Sequence, residues 1–202
     1  MHSARKSIWT PANVVTCARV ALVPVWLLVA ELSREWGGES GSYAAAFVVA
    51  VFYILLSLTD KLDGYLARSR GEVTTFGKFL DPIADKLIVI VSLCYLLEVQ
   101  MVSPWVLLVV VAREFLVSGL RMVVASKGVV IAASGLGKWK TATTMVSISG
   151  LLLLRAVPIS GAAFALSAVS FVLLWVAVVL TAWSGVDYFA KSWRYIAEDA
   201  DD

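Results

Sequence analysis

Apolar residues run along this chain in six long blocks, and polar residues gather between them. The blocks lie near 14–33, 43–66, 79–98, 104–126, 138–157 and 162–190. Each is close to the roughly 20 helical residues that cross a hydrocarbon core. The breaks carry turn chemistry: Gly37, Gly38, Ser40, Gly41 and Ser42 after the first, Ser103-Pro104 after the third, Pro158-Ile-Ser160-Gly161 after the fifth. Membrane barrels alternate polar and apolar positions, whereas Val106–Ala112 and Leu151–Leu154 are continuous apolar runs. The pattern predicts an all-α integral membrane fold of six transmembrane helices. Residues 1–12, with Arg5, Lys6, Ile8 and Trp9, predict a short interfacial helix ahead of the first span. Pro82 is tolerated if it falls in the first turn of the third helix, where a missing N–H costs nothing.

Composition sharpens this reading. The 202 residues are 60% hydrophobic and 16% charged, with a mean hydropathy of +0.85. Soluble domains sit near 45–50% apolar and about 25% charged, so a soluble globular class is excluded and 1–202 is expected to be one membrane domain. Arg5 and Lys6 precede the first block without a small-residue cleavage site, which predicts a retained helix, not a signal peptide. Cys17 and Cys94 stand far apart inside apolar runs and are expected to be small buried thiols, not a disulfide.

Eleven cations (Arg5, Lys6, Arg68, Arg70, Lys78, Arg121, Lys127, Lys138, Lys140, Lys191 and Arg194) flank the N-terminal, 2–3, 4–5 and C-terminal ends. The other side offers Arg34 and Arg155 among Glu31, Glu35, Glu39 and Glu98. The positive-inside rule then places both termini in the cytoplasm. The acidic end, within 195–202, is expected to be a flexible tail, and no nucleic-acid partner is expected.

Against this apolar background Asp60, Asp63, Asp81 and Asp85 stand out. A carboxylate at the bilayer centre costs roughly 2.5–3.5 kcal/mol on insertion scales. On helices, Asp60, Asp63, Gly64 and Ala67 fall at i, i+3, i+4 and i+7, and Gly77, Asp81 and Asp85 at i, i+4 and i+8, so each set shares a face. An antiparallel turn through 69–76 lets the two faces meet near the cytoplasmic surface. Four oxygen donors there suit hard divalent cations such as Mg²⁺ or Mn²⁺. Gly64, Ala67 and Gly77 clear room for a phosphate. The plainer alternative is a set of solvated aspartates at a helix end, balanced by Lys61, Arg68, Lys78 and Lys86.

The whole pattern, D-x2-D-G-x2-A-R-x8-G-x3-D-x3-D from Asp60 to Asp85, resembles the signature of the CDP-alcohol phosphatidyltransferase family. Outside it, Ala112-Arg113-Glu114-Phe-Leu-Val-Ser-Gly-Leu-Arg121, Gly137-Lys138-Trp-Lys140-Thr141 and Ser184-Gly185-Val-Asp-Tyr188-Phe189 resemble the bacterial, phosphatidylglycerophosphate-forming branch. Asn13-x2-Thr16-x2-Arg19 also follows the family, with one departure: Ala12 separates Pro11 from Asn13.

The resemblance implies transfer of a phosphatidyl group from CDP-diacylglycerol to glycerol 3-phosphate, with CMP released. It implies two divalent cations held by Asp60, Asp63, Asp81 and Asp85, and Asp85 as the base that takes the acceptor's proton. It also implies a CDP site from Gly64, Ala67, Arg68 and Gly77, with Asn13 and Thr16 more weakly, and a homodimer in a bacterial inner membrane.

An acceptor phosphate needs cations of its own, which Arg113, Arg121, Lys138 and Lys140 supply. Arg113 also reads as half of an intramembrane pair with Glu114 or a contact to the aspartates, Lys138 and Lys140 as headgroup contacts, and Arg68 as part of the positive-inside belt. Other acceptors in the family (serine, inositol phosphate, phosphatidylglycerol) remain open, and so does an ion or proton transporter, which also keeps buried charges.

Overall fold

The computed structural model describes residues 10–35, 39–70, 74–129 and 135–197, and within these helices it leaves some side chains undescribed, those of 60–70, 81 and 138 among them. All regular structure among the described residues is helical: α1 Pro11–Glu35, α2 Glu39–Arg70, α3 Thr75–Glu98, α4 Pro104–Ser126, α5 Gly135–Leu154 and α6 Gly161–Ala197. Two are long and apolar enough to cross a membrane, over Asn13–Arg34 and Gly161–Trp193, and α2 has a shorter apolar stretch at Tyr43–Thr59.

Local chemistry sets the boundaries. The hydroxyls of Thr10, Thr74, Ser103 and Ser160 accept hydrogen bonds from the backbone N–H groups of Asn13, Gly77, Trp105 and Ala163, so each caps a helix start. Pro11 follows its cap as the first residue of α1, so Ala12 is simply the second, and the extra residue leaves an ordinary helix start. At the C-terminus of α3, Gln100 takes a left-handed φ of 59°, its N–H reaches Leu97 O, and Met101 N–H reaches Leu96 O. Gly128 does the same after α4 with a φ of 73°.

Four expectations need correction. Pro82 lies in the interior of α3, because Thr74 starts that helix well before the apolar block begins. Residues 11–12 belong to α1 and Thr10 caps it, while 1–9 of the expected interfacial helix lie outside the described residues. Of the expected tail 195–202, residues 195–197 are the end of α6, where Tyr195 O accepts a hydrogen bond from Lys127 Nζ, and 198–202 lie outside the described residues. Both cysteines are free as expected, but Cys94 is exposed and Cys17 half-buried, so neither is the buried thiol that its apolar surroundings in sequence suggest.

The chain forms two compact units: Met1–Tyr95 with Leu152–Ala163, and Leu96–Leu151 with Phe164–Asp202. In the first, α1 and α3 run parallel, with Asn13 beside Thr74 at one end and Ala30 beside Tyr95 at the other. Trp26 is fully buried between the rings of Tyr53 and Tyr95, with centroids 6.0 and 5.7 Å away. The polar tips are satisfied across helices: Trp26 Nε1 donates to Val49 O at 3.0 Å, and Tyr95 donates to Ala30 O at 3.2 Å. Arg155 donates to the Tyr95 hydroxyl and lies 5.3 Å over its ring.

In the second unit, α4 and α6 run parallel, shown by the pairs Arg113–Ser184, Arg121–Tyr188 and Lys127–Tyr195. Buried Ser147, Thr181 and Ser184 donate back to carbonyls of their own helices, the usual way to satisfy a hydroxyl where water is absent. Large apolar residues such as Phe164, Trp175, Val179 and Trp183 face outward along α6. An exterior as apolar as this suits lipid and would be a liability in water.

Candidate active site

In the first unit the starts of α1 and α3 are locked together. Asn13 Nδ2 donates to Thr74 Oγ1 at 2.7 Å, and the Thr74 hydroxyl, which caps α3, is 3.1 Å from Asn13 Oδ1. Gly77 allows the approach: a Cβ there would lie 2.6 Å from Asn13 Oδ1. The glycine that the sequence marks for phosphate approach is thus also the one that lets α1 touch α3. Asn13, Thr16 and Arg19 follow one another along α1, and all three are buried. Arginine is almost never buried without partners. Arg19, to which the sequence motif gave no role, is among the largest fully buried side chains described.

Helix α2 continues unbroken to Arg70, so Asp60, Asp63, Gly64 and Ala67 keep their helical spacing, as do Gly77, Asp81 and Asp85 on α3. Of the four aspartates, only Asp85 has a described side chain, and it is half-buried. The side chains of Asp60, Asp63, Asp81, Arg68 and Lys138 lie outside the described residues. Among the described ones, no three of His, Cys, Asp or Glu converge. Further along α2, the side chains of Tyr53 and Ser57 are buried one helical turn apart. They stand seven and three residues ahead of Asp60, so a polar stripe leads toward the acidic segment. All-carboxylate donors at helical spacing, continued by buried hydroxyls, fit a hard divalent cation.

In the second unit, Arg113 on α4 is held from two sides. Its Nε donates to Ser184 Oγ at 3.1 Å, and its Nη1 pairs with Glu114 Oε1 at 3.1 Å. Lys140 Nζ from α5 reaches the same Glu114 oxygen. Gly185 lets the arginine lie flat on α6, since a Cβ there would be 3.1 Å from Arg113 Cγ. Arg121 is exposed and sits 6.0 Å over the Tyr188 ring. The structure therefore brings Arg113 and Lys140 together and keeps Arg121 against α6. The expected pairing of Arg113 with Glu114 is present, and Lys140 joins it.

The family model described as CDP-alcohol phosphatidyltransferase matches residues 9–183. This chain belongs to that family. It is 40% identical over 186 residues to the CDP-diacylglycerol–glycerol-3-phosphate 3-phosphatidyltransferase of Bacillus subtilis, covering 90% of this chain and 94% of the relative. It is 38% identical over 195 residues to a probable phosphatidylglycerophosphate synthase of Mycobacterium tuberculosis, covering 96% and 87%. A cardiolipin synthase (CMP-forming) of Oryza sativa subsp. japonica is also 38% identical, over 93% of this chain and 58% of that protein.

The two arrangements differ in their chemistry. The first unit carries the acidic segment and the α1–α3 contact. The second carries fixed cations with no acidic cluster beside them except Glu114 among the described residues. In sequence Glu114 reads as a simple pair with its neighbour Arg113; its contact with Lys140, 26 positions away, becomes visible only in the fold.

Proposed function

We propose that this chain transfers the phosphatidyl group of CDP-diacylglycerol to glycerol 3-phosphate, giving phosphatidylglycerophosphate and CMP. The observation that carries the acceptor is the meeting of Arg113 and Lys140 at Glu114, which keeps two cations in one place for a phosphate. Bonds to Glu114 and Ser184 use Arg113 Nη1 and Nε, which leaves the Nη2 hydrogens for an anion. The names of the Bacillus and Mycobacterium relatives point to the same acceptor.

The acceptor hydroxyl attacks the lipid-side phosphorus, a new P–O bond forms, the pyrophosphate P–O bond breaks, and CMP leaves with the bonding pair. Asp85 takes the hydroxyl proton. Asp60, Asp63, Asp81 and Asp85 hold two divalent cations, Mg²⁺ or Mn²⁺, which when bound neutralise charge on the pyrophosphate and on departing CMP. Gly64, Ala67 and Gly77 admit the diphosphate and Arg68 counters its charge, with Asn13 and Thr16 as lesser contacts in the same CDP pocket. Arg113, Arg121, Lys138 and Lys140 bind the acceptor phosphate. Such a reaction needs mainly positioning and electrostatics from the protein.

All six helices are read as membrane spans, with a short interfacial segment before α1 and both termini in the cytoplasm of a bacterium. The chain is read as one catalytic domain over 1–202, acting as a homodimer. The cation asymmetry of the sequence supports the orientation.

A second reading has phosphatidylglycerol as acceptor, and the likeness to the rice cardiolipin synthase favours it. Purified protein with CDP-diacylglycerol, Mg²⁺ and separate acceptors decides. CMP release with glycerol 3-phosphate supports the first reading; cardiolipin formed from phosphatidylglycerol, without turnover of glycerol 3-phosphate, supports the second. Release with serine alone defeats both.

A further inference from the structure

We propose that Glu114 is a positioning residue for the acceptor phosphate, clamping Arg113 and Lys140 together through one carboxylate oxygen. The inference rests on the acceptor-phosphate reading above.

Neighbouring residues on a helix do not face one another, so pairing Arg113 with Glu114 needs the arginine to be drawn sideways along α4. Three features draw it there. Ser184 Oγ accepts from its Nε at 3.1 Å, Glu114 Oε1 accepts from its Nη1 at 3.1 Å, and Gly185 offers a bare backbone against which its stem lies. Ser184 is itself fixed, because its hydroxyl donates to Thr181 O at 3.0 Å. Lys140 arrives from a different helix, α5, and meets the same Oε1. The side chains of Arg113, Glu114 and Lys140 are only 15%, 12% and 12% exposed, so water screens little of what passes between them.

Two cations bonded to one oxygen are at most two hydrogen-bond lengths apart, and in so dry a place they repel strongly. The shared carboxylate offsets that repulsion and sets their spacing before any substrate arrives. Of these three side chains two are cationic and one anionic, so cations outnumber the carboxylate that joins them. A phosphate reaching them finds donors already aimed, which is how preorganisation lowers the cost of binding.

The carboxylate also repels the incoming phosphate, so the sign of the effect separates positioning from charge alone. The experiment measures steady-state kinetics for wild type, Glu114→Ala, Glu114→Gln, Lys140→Met and the double variant Glu114→Gln/Lys140→Met, with both substrates varied. If Glu114 positions, Glu114→Ala raises the acceptor KM by ~10-fold or more, while the donor KM and the kcat at saturating acceptor stay within ~3-fold. Glu114→Gln, which keeps a hydrogen-bonding oxygen, falls between wild type and alanine. In the Lys140→Met background the Glu114→Gln effect shrinks, because the clamp has lost one jaw.

A lower acceptor KM in Glu114→Gln overturns the proposal, since charge would then outweigh position. Equal loss for both substrates overturns it too, as does an unchanged acceptor KM. If the wild type ignores glycerol 3-phosphate but turns over another phosphate-bearing acceptor, the acceptor assignment fails while the same comparison on that acceptor judges Glu114. A wild type that uses only serine overturns the clamp together with the acceptor reading. Should Glu114→Ala not fold, Glu114→Gln and Lys140→Met carry the test.

Discussion

Gly77 and Asn13 are in direct contact across the N-terminal ends of α3 and α1, so close that a single added carbon at 77 would sit 2.6 Å from Asn13 Oδ1. Asn13 cannot retreat freely, because its amide also bonds Thr74, the residue that caps α3. One contact therefore joins two helix starts, a cap and the approach to the acidic segment.

Gly77→Ala should weaken the protein despite the better helix propensity of alanine. The propensity gain is about 1 kcal/mol, and the overpacking cost is about 1–3 kcal/mol. A lower unfolding temperature in detergent is expected, with a higher KM for CDP-diacylglycerol. Asn13→Ala in the same chain should recover part of the lost stability by vacating the space. An equally stable single variant would show that the two helix starts can part without cost.

Asp85→Asn should lower kcat by about 10³-fold or more, the usual reach of a lost general base combined with a weakened metal site. Binding of CDP-diacylglycerol, followed by equilibrium titration, should change far less. Retention of a tenth of the activity would remove Asp85 from the role of base.

Chelation should stop turnover completely, and Mg²⁺ or Mn²⁺ should restore it. The carboxylates are hard oxygen donors, so Zn²⁺ should restore less. CMP release measured before and after excess chelator checks this; undiminished release would separate the aspartates from metal binding.

Arg121→Ala should raise the acceptor KM about 10-fold, in line with the loss of one charge-assisted phosphate contact. The donor KM should move much less. Tyr188→Phe preserves the aromatic face under Arg121, so it should leave the acceptor KM close to wild type. A large effect from the phenylalanine would mean that the Tyr188 hydroxyl matters more than its ring.

Gly150→Ala should destabilise the packing of α5 on α6, because a Cβ would fall 2.1 Å from Ser170 Oγ. A cost of about 1–3 kcal/mol is expected from overpacking. Adding Ser170→Gly removes the obstructing side chain and should return most of the stability, read as the unfolding temperature in detergent. An additive double variant would rule out this contact as the cause.

Much of this was legible in one dimension. Helicity followed from block length and from capping residues such as Ser103-Pro104 and Ser160-Gly161, because capping is a bond between residues two or three apart. The acidic segment and its glycines were legible for the same reason, since helical spacing converts sequence distance directly into a shared face. What one dimension hid were contacts between helices. The extent of α3 was misjudged because Thr74 answers to Gly77 and Asn13 together, and Pro82 consequently falls inside the helix. Arg19 was an ordinary motif position until α1 was seen to bury it. Glu114 looked like the neutraliser of its neighbour until Lys140 arrived from α5. Local bonding and periodicity are written in adjacent residues; which charges share an oxygen depends on how separate helices are brought side by side, and no spacing along a single chain encodes that distance.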